Sequence, residues 1–171
     1  MNSDDILHGQ LDDQTIDHLS DQIGTEQKEK TRTASKGIIA TLLSGLNNNA
    51  QKPGGIKAIL AAIDRDHDGN ILEDIPAFLF GRRPSQNPKT TDGEGILDHI
   101  LGNRKEEVKE NMSRKTGLNL GQISRLLVSL APLVMGALGR MRNQSNLDAG
   151  GFQNLLQRSL NHESNQSLNW F

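Results

Sequence analysis

Apolar residues recur three and four positions apart along almost the whole chain, and that spacing leaves little besides helices to build with. Ile123, Leu126, Leu127, Leu130, Leu133, Val134, Leu138 and Met141 trace one face of a long helix. Ile38, Ile39, Leu42, Leu43 and Leu46 trace another. No run of alternating β-branched residues is long enough to support a sheet. Aromatics are 3% of the 171 residues, with no Tyr and one Trp, so the core has to be aliphatic. The expected fold is all-α, a multihelical bundle.

The same periodicity sets expected element boundaries. A first helix carries Ile16, Leu19 and Ile23, starts at Asp12 or Asp13 as cap, and ends at Gly24. A second spans about Glu26 to Leu46 and breaks at Asn47-Asn48-Asn49. Pro53 opens a third helix with Ile56, Ile59, Leu60 and Ile63, and a short one follows from Ile71 to Phe80. Residues 81–93 contain no apolar side chain and read as a polar linker. Beyond them come Glu94 to Leu101, a polar helix from Lys105 to Thr116 ended by Gly117, and the long apolar helix, which Pro132 should kink or divide. A last helix from about Asp148 carries Phe152, Leu155, Leu156 and Leu160. The expected organisation is a first helical unit over 1–80, the linker at 81–93, a second unit over 94–161, and a tail at 162–171. Leu19 aligns with Met112 and Gly54-Gly55 with Gly150-Gly151, offsets of 93 and 96 residues that point to an internal repeat.

One segment carries recognisable chemistry. In Asp64-Arg65-Asp66-His67-Asp68-Gly69-Asn70, side-chain oxygens stand at alternate positions, followed by a glycine turn and a backbone carbonyl from Asn70. That is the order in which an EF-hand-like loop encloses Ca²⁺, a hard cation that takes six to eight oxygens. The expected loop is 64–75, with Asp64, Asp66, Asp68, Asn70, Glu73 and Asp74 as candidate ligands. Ile75 occupies the twelfth position, where a bidentate Glu belongs, and Asp74 and Glu73 stand one and two residues early. Affinity should therefore be weak, on the order of 10⁻⁵ to 10⁻³ M, which suits a structural clip better than a sensor. His67, at the fourth position, should point outward.

Several segments together resemble a bacterial family known as domain of unknown function 937, related to YidB-like proteins. They are the acidic loop, Gly-Ile-Leu-Asp-His-Ile-Leu-Gly at 95–102, Thr-Gly-Leu at 116–118, and Leu-Ala-Pro-Leu-Val-Met-Gly-Ala-Leu-Gly at 130–139. The resemblance implies an all-helical bacterial protein with a calcium-type loop. It implies no activity.

Charge and residue content narrow the function classes. A net charge of −2 offers no general attraction for nucleic acid or anionic membrane. The absence of Cys excludes thiolate chemistry and disulfides. His8, His18, His67, His99 and His162 are scattered, with no metal-pair spacing and no nearby nucleophile, so an enzyme is not expected. The run Leu126–Gly139 is too short to span a bilayer, and the first residues lack the pattern of a signal peptide, so a cytoplasmic protein is expected. The leading expectation is a calcium-stabilised structural or protein-interaction module whose partner is an unknown protein or a second copy. The alternative is nucleic-acid binding through a helix-turn-helix-like segment at 105–129, with Gln122, Ser124 and Arg125 toward bases and Arg114 and Lys115 toward phosphates.

Overall fold

The computed structural model describes residues 11–67, Leu72 and residues 92–166, with side chains to residue 161. Those residues form α1 (Asp13–Ile23), α2 (Lys28–Ala50), α3 (Gly55–Asp66), α4 (Gly93–Leu101), a 3-10 turn (Gly102–Arg104), α5 (Lys105–Thr116), α6 (Leu120–Ser145) and α7 (Ala149–Gln166). No strand is found among the described residues, in keeping with the all-α expectation. The expected helix at 71–80, apart from Leu72, and residues 81–91 of the expected linker at 81–93 lie outside them; the linker's last two residues are corrected, since Asp92 is the N-cap of α4 and Gly93 its buried first residue.

Local chemistry sets most helix ends. Asp12 caps α1 by accepting from the Thr15 amide at 2.8 Å, and Gly24 closes it at φ 75, a conformation that costs glycine little. Gly117 closes α5 in the same left-handed state. Asn119 and Gln122 form a capping box at the start of α6, each side chain bonding the other residue's backbone amide, at 2.8 and 3.0 Å.

Two expectations about helix integrity are corrected. α2 does not break at Asn47-Asn48-Asn49 but runs to Ala50, because tertiary contacts outweigh the poor helix propensity of Asn. Asn47 and Ala50 are buried, and the Asn49 amide donates to the His99 carbonyl of α4 at 3.0 Å. α6 is one continuous helix across Pro132 rather than two. Pro132 has no N–H, so the Val128 carbonyl one turn earlier lacks its helical donor. Gly93, the first residue of α4, lies over that carbonyl: a Cβ there would stand 2.1 Å from the Val128 oxygen.

α2 and α6 pack on each other at the centre, and the remaining helices surround them: α6 touches α1, α3, α4 and α5, while α2 touches α1, α3, α4, α5 and α7. A single aliphatic cluster runs through all of them, including Ile16, Leu42, Ile63, Leu97, Met112, Leu127 and Phe152. Met112, Met135 and Met141 are buried in it as filler. α6 is long and apolar enough to cross a membrane by length and composition, which corrects the estimate from the shorter run 126–139. Here 67% of its apolar window is buried against the other helices, as in the core helix of a globular bundle.

Candidate functional site

The acidic segment begins on the last turn of α3. Asp64 and Asp66 are both helical, and residues two apart on a helix point to different sides. Asp64 faces α6, where the Arg142 guanidinium grips both carboxylate oxygens, Nε to Oδ1 at 2.8 Å and Nη2 to Oδ2 at 3.0 Å. The third guanidinium nitrogen of Arg142, Nη1, donates to the Leu147 carbonyl, so one side chain joins α3, α6 and the turn into α7. This bidentate bond lowers the Asp64 pKa and raises that of Arg142. Asp66 turns inward, is 7% exposed, and accepts from Arg65 Nε at 3.0 Å.

His67 is corrected from outward-pointing to buried, at 4% exposure. Its carbonyl lies against the backbone of α6 at Gly139, where a Cβ would come within 1.8 Å of the His67 oxygen. Only glycine permits so close an approach. Leu72 is again buried in the common core.

Of the candidate ligands, Asp64 and Asp66 are described, and Asp68, Asn70, Glu73 and Asp74 lie outside the described residues. Among the described residues no group of three or more His, Cys, Asp or Glu side chains could hold a metal ion. Of the two described carboxylates, Asp64 is bound by Arg142 and Asp66 accepts from Arg65. Arg142 was not legible as part of this site, because it lies 78 residues from Asp64.

The helix-turn-helix-like segment is committed to intramolecular contacts. Gln122 Nε2 donates to the Ile23 carbonyl and Arg125 Nη1 to the Gln22 carbonyl, each at 3.3 Å, and Ser129 bonds the Gln22 side chain at 3.1 Å. Gln122 and Arg125 thus satisfy carbonyls at the C-terminus of α1, which a helix end leaves without partners. Arg114 bonds Asn111 on its own helix.

No curated protein and no solved structure matches the chain. A family model described as bacterial protein of unknown function (DUF937) matches residues 5–141. The relation to YidB-like proteins remains an expectation drawn from the motifs. Because the match takes in helices α1 through most of α6 and the acidic segment between them, the chain belongs to the DUF937 family of bacterial proteins.

Proposed function

We propose that the protein is a structural or protein-interaction module rather than an enzyme, built from a duplicated helical unit and stabilised by calcium. The observation that carries the duplication is a reciprocal exchange of contacts. α1 ends at left-handed Gly24 and is followed by the long helix α2 and then by α3 behind Gly54-Gly55. α5 ends at left-handed Gly117 and is followed by the long helix α6 and then by α7, with Gly150-Gly151 in its first turn. Gln122 of α6 reaches the end of α1, and Lys30 of α2 reaches the end of α5, its Nζ 3.1 Å from where a Cβ on Gly117 would stand. Gln122 thus bonds the end of α1 and Lys30 lies beside the end of α5, an arrangement suited to a rigid scaffold.

Calcium enters through the order of oxygens from Asp64 to Asp74. Binding that used Asp64 and Asp66 together would require the last turn of α3 to open and Asp64 to leave Arg142. Such a coupling of metal to local folding again favours weak affinity. We place the working compartment in the cytoplasm and the partner among proteins or further copies of this chain.

Thermal unfolding of the full chain with millimolar Ca²⁺, Mg²⁺ or chelator tests the calcium part, beside the double variant Asp66→Ala, Asp68→Ala. A calcium-specific rise in Tm that the double variant lacks supports the reading. An identical Tm in all three conditions removes calcium from it.

A further inference from the structure

A second feature lies away from the acidic segment and is independent of it. Between the C-terminal half of α2 and the junction of α4 with the 3-10 turn is a cavity of about 240 Å³, lined by Ser44, Asn48, Lys52, Ile100, Leu101 and Arg104 among others. That is room for roughly eight waters at about 30 Å³ each. Two cations face it, from different elements, and among the described residues no carboxylate lines it.

Two acids of α4 are already committed. Glu94 and Asp98 both bind Lys105, at 3.3 and 2.6 Å, and Lys105 follows directly on Arg104. Lys52 makes one neutral contact, to Asn49 Oδ1 at 3.3 Å, and Asn49 in turn spends its amide on the His99 carbonyl. Among the described residues the Arg104 side chain makes no hydrogen bond or ion pair. Like charges that share a concave wall raise its potential, and an anion relieves that repulsion. Arg104 offers a planar fork matched to a carboxylate, Lys52 a point charge, and Asn48 and Ser44 further polar groups. Ile100 and Leu101 give the same cavity an apolar wall, which inorganic ions would leave unused.

We propose that this cavity binds a small carboxylate with a short apolar chain, its charged end between Lys52 and Arg104 and its chain against Ile100 and Leu101. Butyrate is the probe. In an NMR titration of the full chain at constant ionic strength, the Gly45 amide and the Asn48 and Asn49 side-chain amides should shift saturably, with Kd on the order of 1–10 mM, about −4 kcal/mol or weaker. Arg104→Gln and Lys52→Gln each remove a surface charge and should weaken butyrate at least about five-fold while leaving Tm unchanged. Shifts that grow linearly without saturating, or equal affinity in both variants, would overturn the proposal. So would equal shifts with butanol, which shares the chain and lacks the charge. Tighter saturation of the same residues by inorganic phosphate would overturn the carboxylate assignment.

Discussion

Gly93 lies on the carbonyl that Pro132 leaves without a helical donor. A Cβ on Gly93 would stand 2.1 Å from the Val128 oxygen and 2.8 Å from its carbon, so the Gly93 Cα is directed at that oxygen from roughly 3.6 Å or less, within range of a weak Cα–H···O contact. The start of α4 is thereby docked at the one turn of α6 whose hydrogen bonding is incomplete, and Asp92 caps α4 there by accepting from the Gly95 amide at 3.0 Å.

Replacing Gly93 with Ala should therefore cost about 2–3 kcal/mol, because the new methyl meets backbone rather than a side chain that could swing aside. Urea unfolding measures it. A loss under about 0.5 kcal/mol would mean that α4 does not approach α6 this closely.

Gly139→Ala should destabilise by a similar amount, about 3 kcal/mol, since its methyl would fall 1.8 Å from the His67 oxygen. Gly121→Ala is the contrast. Its methyl would meet only the Asn119 Oδ1 at 3.4 Å, and the gain in helix propensity should stabilise by up to about 0.5–1 kcal/mol. Equal effects at the two sites would refute the docking of His67 on α6.

Arg142→Gln removes the bond to both Asp64 oxygens and should cost about 1–2 kcal/mol, the larger share from lost anchorage of the α7 turn. The ion pair itself contributes only about 0.5 kcal/mol, because the Asp64 side chain is 51% exposed. The Asp64 pKa is lowered by folding, so its contribution is present above its ordinary value of 3.8 and disappears as pH falls through the folded value. Below pH 4 the wild type should accordingly lose part of its advantage over Arg142→Gln, read from unfolding midpoints at pH 6 and pH 3.

Lys105 gives the opposite pH dependence. The hydrogen bonds that Lys105 donates to Asp98 and then Glu94 raise its pKa, so the stabilisation is complete below the ordinary value of 10.5 and is lost as pH rises through the folded value. Stability curves of wild type and Lys105→Met should converge above pH 10.5. Curves that stay parallel from pH 8 to 11 would show that the triad contributes nothing.

Gln122→Ala should cost about 1–2 kcal/mol, since the side chain serves both the capping box of α6 and the Ile23 carbonyl at the end of α1. The check is chemical denaturation beside Ser124→Ala as a control. An unaltered midpoint in Gln122→Ala would free that side chain for a role at the surface.

Periodicity over three and four residues determined that the chain is helical and aliphatic-cored. Glycines at 24 and 117 marked where helices stop, and this needed nothing beyond the sequence because helix formation and termination depend on groups within one turn. The oxygen order from Asp64 to Asn70 was legible for the same reason. Tertiary structure decided whatever depended on distant partners. Asn47-Asn48-Asn49 looked like a break by propensity, yet burial of Asn47 and Ala50 and the bond from Asn49 to His99 hold those residues in α2. His67 looked exposed by its place in a loop, yet Gly139, 72 residues away, offers a backbone surface with no Cβ on which its carbonyl docks. Pro132 looked like a kink or a division, yet α6 is not divided there and is enclosed by five other helices. Asp64 looked available to a cation, yet a guanidinium far along the chain is already bound to both its oxygens. A sequence fixes what each residue can do with its neighbours in the chain; which competing partner it takes is settled only when burial brings those partners within a few ångströms.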